Sequence, residues 1–166
     1  MRKTNSSMQL TRAADYAVRV MIHLASLPDE KRISLPELAR AAQAPPSFLS
    51  KVLQTLARQG LISSRRGTTG GFALLEIGRT ANMRTVIEAI EGPIFLNTCI
   101  EAGRSCGRDS WCPAHPVWAE AQQALLTVLE HYTMVELAGM ACTVHTVQTP
   151  PRPAAMAHPL MVVAGQ

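Results

Sequence analysis

Two short amphipathic helices separated by a proline turn place the strongest constraint on how this chain can fold. The first is predicted from Ser34 to about Ala42, where Ser34-Leu35-Pro36-Glu37 supplies an N-cap hydroxyl and a glutamate at the third helical position. Ala44-Pro45-Pro46 predicts the turn, and the second helix is predicted from Ser47 to Gln59. Because an apolar stripe from Thr11 to Leu27 predicts one more helix before this pair, the segment is typical of a helix-turn-helix.

The second helix of such a pair is the candidate recognition helix for DNA. Its apolar residues predict one buried face, and the opposite face carries hydrogen-bonding and cationic side chains: Ser47, Ser50, Lys51, Gln54, Thr55 and Arg58. These side chains suit contacts with bases and phosphates, but the same pattern is also typical of a solvated helix face.

The next segment favours the DNA-binding interpretation, because it predicts a β-hairpin directly after the recognition helix. The strands are predicted over Leu61–Arg65 and Phe72–Leu75, joined by Arg66-Gly67-Thr68-Thr69-Gly70-Gly71. Such a hairpin is a wing, which lies on the sugar-phosphate backbone or inserts an arginine into the minor groove. A nucleotide-binding loop is excluded, because no helix starts directly after the glycines and no Gly-Lys-Ser/Thr ending is present. The predicted wing contacts are Arg65, Arg66, Gly67, Thr68 and Gly70.

The basic residues are concentrated in the first half of the chain. Residues 1–80 hold twelve Lys and Arg against five Asp and Glu, a net +7, whereas residues 81–166 hold four against seven, a net −3, which together give +4. Thirteen of the sixteen basic residues are Arg, whose planar guanidinium suits phosphate and base-edge recognition. This asymmetry indicates nucleic-acid contact by the N-terminal half and protein contact by the C-terminal half.

The C-terminal half is predicted to contain a connecting segment, a cysteine-containing loop and a long helix. The connecting segment, 82–96, begins with a helix, and the loop covers 97–115. The long helix is predicted from Ala114 to about His131, with a short helix after it that ends by residue 138. Apolar residues at spacings of three and four predict a coiled-coil-like seam on the long helix: Trp118, Ala121, Leu125, Val128 and Tyr132.

The remaining boundaries follow from composition. Residues 1–7 form a polar leader, 8–81 the winged domain, and the proline-containing tail over 139–166 is predicted to be disordered. The fold class is therefore mainly α with a small β-hairpin wing, a winged helix-turn-helix joined to a long dimerisation helix. No apolar run reaches the ~18 residues that span a bilayer, and the N-terminus lacks the apolar region of a secretory signal. We therefore expect a cytoplasmic protein with no membrane partner.

The loop holds three of the four cysteines, at Cys99, Cys106 and Cys112, with His115 three residues after the last. Four cysteines are too few for a disulfide scaffold, so the cluster is typical of a metal-binding set. Structural zinc sites use closer pairs, although three cysteines and a histidine can still hold zinc. Iron–sulfur clusters tolerate wider spacing, because the cluster is larger than a single ion. A loop with three unligated thiols is the remaining alternative.

The chain resembles the iron–sulfur winged-helix regulators that include IscR and NsrR. The shared stretches are Met8-Gln9-Leu10-Thr11 with Asp15-Tyr16-Ala17-Val18, the wing Arg66-Gly67-Thr68-Thr69-Gly70-Gly71-Phe72, and the cysteine triplet. Around the third cysteine, Cys112-Pro113-Ala114-His115-Pro116-Val117-Trp118 is similar to the IscR pattern. The resemblance covers roughly residues 8–138.

This resemblance implies a homodimer in which two winged domains face one two-fold site on double-stranded DNA. It implies that Ser47, Phe48 and the segment from Ser50 to Gln54 lie at the major groove, and that Arg66 enters the minor groove. It also implies that the three loop cysteines bind an iron–sulfur cluster, either 2Fe–2S or 4Fe–4S. The chain is then a transcriptional regulator whose DNA affinity depends on a cluster that senses redox state, nitric oxide or cluster status.

Two features of the cysteine loop leave the ligand set open. Cys99 and Cys106 are separated by six residues, where the IscR pattern has five. IscR-like proteins use a histidine three residues after the last cysteine, matched by His115, whereas NsrR-like proteins use an acidic residue of the partner subunit, matched by Asp15. We take His115 as the fourth ligand and Asp15 as the alternative, although Asp15 also suits an ordinary solvated first-turn carboxylate.

Two other functions are alternatives to the cluster-dependent regulator. A winged-helix regulator with a structural zinc, or with a thiol-based redox switch and no cluster, uses the same residues. An enzyme is not expected, because the sequence has no nucleophile–base motif, no nucleotide loop and no paired carboxylates.

Overall fold

The computed structural model describes residues 10–67, 69–101, 103–104, 106–108 and 110–144, with side chains up to Met140. The predicted leader, Thr68 of the wing and tail residues 145–166 lie outside the described residues. Within the described ranges, no helix has both the length and the apolar character to cross a membrane.

Seven α-helices and one two-stranded antiparallel hairpin make up the described fold, in agreement with the predicted fold class. In chain order these are α1 (Arg12–Ala25), α2 (Leu35–Ala42), α3 (Pro46–Arg58), β1 (Ile62–Arg65), β2 (Gly71–Leu74), α4 (Glu76–Thr80), α5 (Met83–Glu91), a 3-10 turn (Thr98–Ile100), α6 (Ala114–Glu130) and α7 (Met134–Val144). The hairpin pairs Ile62 with Leu74 and Arg65 with Gly71.

Side-chain caps fix the starts of the first two helices. Thr11 accepts a hydrogen bond from the Ala14 N–H, and Ser34 and Glu37 form the predicted capping box. Both the Ser34 hydroxyl and the Ser34 N–H donate to the Glu37 carboxylate. These bonds, the hydroxyl bond more than the N–H bond, lower the pKa of Glu37. The entry to the helix-turn-helix is therefore set by local hydrogen bonds that the sequence pattern predicts.

The core of the winged domain lies between α1, α2, α3 and α5 and consists of aliphatic side chains. Its largest fully buried members are Met21, Leu38, Leu49, Leu53, Leu56, Ile62, Ile87, Met134, Val20 and Val86. The predicted buried face of α3 is confirmed, since its four residues are all buried in this core: Leu49, Val52, Leu53 and Leu56. A short helix that the sequence pattern did not predict, α4, packs so closely that a Cβ on Gly78 would lie 2.1 Å from the Leu61 carbonyl oxygen.

Helix α7 returns from the end of α6 and packs against the winged domain. Met134 and Ala138 are buried in the main core, and the Met134 N–H donates to the Ala81 carbonyl at 2.8 Å. Thr133 and Glu136 form the predicted capping box at its start. The helix continues to Val144, beyond the predicted tail boundary at residue 139, because the segment up to Val144 contains no proline.

Candidate nucleic-acid interface and cysteine segment

The face of α3 opposite its buried leucines is polar and open to solvent. Lys51, Gln54 and Arg58 are exposed there, and Ser50 is half-buried. Gln54 Nε2 donates to Ser50 Oγ at 3.4 Å, and an Arg58 guanidinium nitrogen donates to Thr55 Oγ1 at 3.0 Å. These bonds hold the Gln54 and Arg58 side chains along the surface of the helix.

The N-terminal end of α3 presents Ser47 and Phe48. Both residues are exposed, as the resemblance implies for groove contacts. Phe48 is 42% exposed and also packs edge-to-face against Tyr16 of α1, with ring centroids 5.8 Å apart. Its ring therefore helps to hold α1 against α3 and leaves only part of its surface for a ligand.

The wing presents exposed Arg65 and Arg66 at the base of a tight glycine turn. The Gly70 N–H donates to the Gly67 carbonyl at 3.0 Å, which closes the turn. A Cβ on Gly70 would lie 2.3 Å from the Arg65 carbonyl oxygen, so the turn requires glycine there. Thr68, a predicted contact, lies outside the described residues.

Arg32, which the sequence analysis did not single out, links both strands of the wing. Its guanidinium donates to the Gly71 carbonyl and to Ser63 Oγ, each at 3.2 Å. Beside it, the backbones of Ile33 and Phe72 exchange two hydrogen bonds of 2.9 Å. These contacts fix the wing relative to α2. They join positions 31 to 39 residues apart, so no local pattern could have predicted them.

A groove of about 480 Å³ separates α3 from the wing. It is lined by Ser50, Gln54, Ala57, Arg58, Ser64, Arg66 and Phe72, so it brings four of the predicted contact residues together. In the part of the chain that the structure describes, no acidic side chain forms an ion pair with any of the four cations on this face, Lys51, Arg58, Arg65 and Arg66. The groove is therefore a cationic surface without an internal counter-ion, which suits a polyanion.

The cysteine segment, residues 97–113, joins α5 to α6, and each of its described residues is half-buried or exposed. Cys99 lies in the 3-10 turn and is half-buried, as are Cys112 and His115, while Cys106 is exposed. The Cys112 N–H donates to the Arg108 carbonyl at 2.8 Å, and the His115 N–H donates to the Cys112 carbonyl at 3.1 Å. Over the described ranges, no group of three His, Cys, Asp or Glu side chains is close enough to hold a metal ion.

Asp15, the alternative fourth ligand, lies on the exposed side of α1. Its carboxylate forms an ion pair with Arg19, one turn later, at 2.8 Å. This pair is the ordinary surface arrangement for residues four apart on a helix. A role as ligand would require that the carboxylate leave Arg19.

Helix α6 carries two adjacent apolar faces. Of the predicted seam residues, Trp118 and Leu125 are half-buried, whereas Ala121, Val128 and Tyr132 are exposed. The exposed apolar stripe along α6 consists of Val117, Ala121, Ala124 and Val128, with Val117 64% and Val128 67% exposed. The seam pattern therefore divides between a face turned to the rest of the chain and a face that the described residues leave uncovered.

The Rrf2 family, described as "Iron-dependent Transcriptional regulator", matches residues 10–139. A protein of Mycobacterium tuberculosis named as an HTH-type transcriptional regulator is 30% identical over 141 residues, which cover 85% of this chain and 88% of the relative. Protein aau3 of Rhizobium meliloti is 34% identical over 131 residues, covering 78% of this chain and 84% of that protein.

Two solved structures share the fold. CymR of B. subtilis, titled the global cysteine regulator, is similar with a TM-score of 0.65 and 25% identity, over 81% of this chain and 98% of CymR. T. potens IscR is similar with a TM-score of 0.63 and 21% identity, over 86% of this chain and 95% of IscR. These likenesses confirm the winged-helix fold, and the names of the relatives confirm that a regulator rather than an enzyme was the correct prediction. The chain belongs to the Rrf2 family of transcriptional regulators.

Proposed function

We propose that this chain is a homodimeric, cytoplasmic transcriptional regulator that binds a two-fold site on double-stranded DNA and whose affinity depends on the cysteine segment. The observation that carries the proposal is the cationic groove between α3 and the wing. The recognition helix contributes Ser50, Gln54 and Arg58 to this groove, and the wing contributes Ser64 and Arg66. A helix in the major groove and an arginine in the adjacent minor groove use both sides of this groove.

The homodimer accounts for the uncovered apolar stripe on α6. Residues 117, 121, 124 and 128 repeat at spacings of four, three and four, which is the a/d pattern of a two-helix seam. A second copy would bury this stripe against itself by two-fold symmetry. Two recognition helices related by that axis would read half-sites about one helical turn apart.

Cluster binding is the first candidate for control of affinity. Three thiols and one imidazole on a single short segment form a soft donor set that suits iron–sulfur chemistry. Cys99, Cys106 and Cys112 would hold the cluster, with His115 or the partner's Asp15 as the fourth ligand. When bound, the cluster would supply a reversible response to oxidant or nitric oxide. The chain's own part is to present these groups between α5 and the start of α6.

Thiol oxidation without a cluster is the second candidate, and two observations favour it. The described residues do not bring three metal-ligating side chains together. The chain is also 26% identical to Staphylococcus aureus CymR, a relative solved in an oxidised form, with a TM-score of 0.62. An exposed cysteine in a segment with few buried contacts is accessible to oxidants.

Anaerobic purification followed by iron and acid-labile sulfide analysis separates the two candidates. Stoichiometric iron and sulfide that depend on Cys106 support the cluster, whereas a colourless protein with neither supports the thiol switch or zinc. DNA affinity is then measured for the parent and for Cys106→Ala on a duplex selected from random-sequence DNA. We expect a difference of about 5–150-fold. Equal affinities on all selected duplexes would show that the cysteine segment does not control DNA binding.

A further inference from the structure

Gln122, in the middle of α6, is the buried polar residue of the described chain, with 9% of its surface exposed. Both polar atoms of its side chain are hydrogen-bonded to one distant backbone turn. Gln122 Oε1 accepts from the Leu96 N–H at 2.9 Å, and Gln122 Nε2 donates to the Ile94 carbonyl at 2.7 Å. A buried amide bonded in this way fixes one geometry, since any displacement leaves two backbone groups unpaired.

The same turn is held from its other side by α5. Glu88 Oε1 accepts from the Ile94 N–H at 3.3 Å and from Arg84 Nε at 3.1 Å. Arg84 also donates to the Glu130 carboxylate at the end of α6. The bond to Glu130 and, to a smaller extent, the bond to Glu88 raise the pKa of Arg84. Residues 94–96 are thus hydrogen-bonded to α5 through Glu88 and to α6 through Gln122.

This turn occupies the position from which the cysteine segment departs. Leu96 is three residues before Cys99, and the other end of the segment is bonded to the start of α6 through the Cys112 carbonyl and the His115 N–H. Helix α5 in turn packs against α1 and against the recognition helix α3. A continuous set of contacts therefore runs from the cysteines through residues 94–96 to the DNA-reading helix.

We infer that Gln122 is a positioning residue that couples the state of the cysteine segment to the orientation of the recognition helices. Because both ends of the segment are hydrogen-bonded to α6, a change in its internal bonding acts on the turn at 94–96 and on the start of α6. Gln122 transmits that movement between α5 and α6, and hence between the winged domain and the proposed dimer axis. This inference rests on the proposed control of DNA affinity by the cysteines.

A double-mutant cycle tests the coupling. The measured quantity is the ratio of DNA dissociation constants of Cys106→Ala and the parent, on the duplex selected from random-sequence DNA. The same ratio is measured in a Gln122→Met background, which keeps the length of the side chain and removes both hydrogen bonds. Gln123→Met is the matched control, because Gln123 is the exposed neighbour and its amide bonds only Thr127 of its own helix.

We expect Gln122→Met to move the ratio toward one by about 2- to 30-fold, and Gln123→Met to leave it unchanged. Hydrogen exchange of the Leu96 amide should accelerate in Gln122→Met alone, which verifies the loss of the bond. If the parent ratio exceeds one but is the same in both backgrounds, the inference is overturned and the proposed function stands. If the parent ratio is itself one, the proposed function is overturned, and this inference with it.

Gln122→Glu covers the case in which the methionine variant does not fold, as judged by circular dichroism. The glutamate retains an acceptor for the Leu96 N–H and loses the donor to the Ile94 carbonyl. The ratio should again move toward one, by less than for methionine. An unchanged ratio in a folded Gln122→Glu protein overturns the inference.

Discussion

The winged domain and the α6–cysteine region satisfy their apolar residues in different ways. In the winged domain and helix α5, which packs on it, the large aliphatic side chains of α1, α2, α3 and α5 lie in or against one core. Over α6, the buried residue is the polar Gln122, while valines at 117 and 128 remain largely exposed. The caps differ as well, since α2 has a capping box, whereas Pro113 at the N-cap of α6 provides no side-chain cap.

This difference indicates that the two regions depend on different partners for their stability. A domain that buries its own core can fold as one chain. A contiguous apolar stripe that is exposed on a helix marks a surface that a partner covers. The winged domain is therefore expected to be intrinsically stable, and the α6–cysteine region to be stabilised by a second copy and by chemistry at its thiols.

Placing a charge on the exposed stripe of α6 should have the largest effect, because it tests whether a second copy covers that stripe. In Val128→Asp, the proposed dimer acquires two facing carboxylates, and an uncompensated buried charge costs roughly 3–5 kcal/mol. We expect sedimentation equilibrium to show monomers at micromolar concentration, with the helical content retained. Gln123→Asp, on the other side of α6, should remain dimeric. A dimeric Val128→Asp protein would show that a different surface forms the dimer.

Truncating a core leucine of the winged domain should lower the free energy of unfolding far more than truncating an exposed valine of α6. Leu53 is fully buried in the core, so Leu53→Ala should lower the free energy of unfolding by about 2–5 kcal/mol. Val117→Ala, measured in the monomeric Val128→Asp background, should change it by less than about 0.5 kcal/mol. Urea unfolding followed by circular dichroism gives both values. Similar losses for the two variants would show that α6 is part of the same core.

The same contrast explains what the sequence could predict. The winged domain follows local rules, so periodicity, capping residues and turn glycines gave α1 to α3 and the hairpin to within one or two residues. The long-range contacts could not be predicted from the sequence. The hydrogen bonds of Arg32, Gln122 and Met134 each join positions at least 25 residues apart. The seam on α6 was predicted as one stripe because periodicity shows that a face is apolar but not which surface covers it.

Removing the wing arginine should weaken DNA binding and leave the fold intact. Arg66 is exposed beside the groove, and Arg66→Ala should cost about 1–3 kcal/mol in affinity at fixed salt. If Arg66 contacts phosphate, the slope of log affinity against log salt should also fall by about 0.9. Fluorescence anisotropy over a salt series measures both quantities.

Two further arginines sharpen this measurement. Arg108 is an exposed cation of the cysteine segment, and Arg108→Ala should leave both affinity and slope unchanged. Arg32 hydrogen-bonds to both strands of the wing, so Arg32→Ala should lower the DNA affinity but reduce the salt slope by less than Arg66→Ala does. An Arg66→Ala protein with parental affinity and slope would remove the wing from the interface.

The smallest effect concerns the caps that distinguish the winged domain from α6. The Ser34 bonds lower the pKa of Glu37, so the native state binds fewer protons than the unfolded state below the ordinary value of 4.5. The stabilisation by this box is complete above that pH and is lost as the pH falls through the native pKa. Ser34→Ala should therefore cost about 1 kcal/mol of unfolding free energy at neutral pH, as an N-cap loss does. The difference between parent and variant should narrow as the pH falls below 4.5 and the Glu37 carboxylate becomes protonated in both. Ser64→Ala, on the exposed side of β1, has no capping role and should show a pH-independent difference. Urea unfolding at a series of pH values makes the comparison, and a Ser34→Ala difference that does not narrow as the pH falls would show that Glu37 does not stabilise the start of α2.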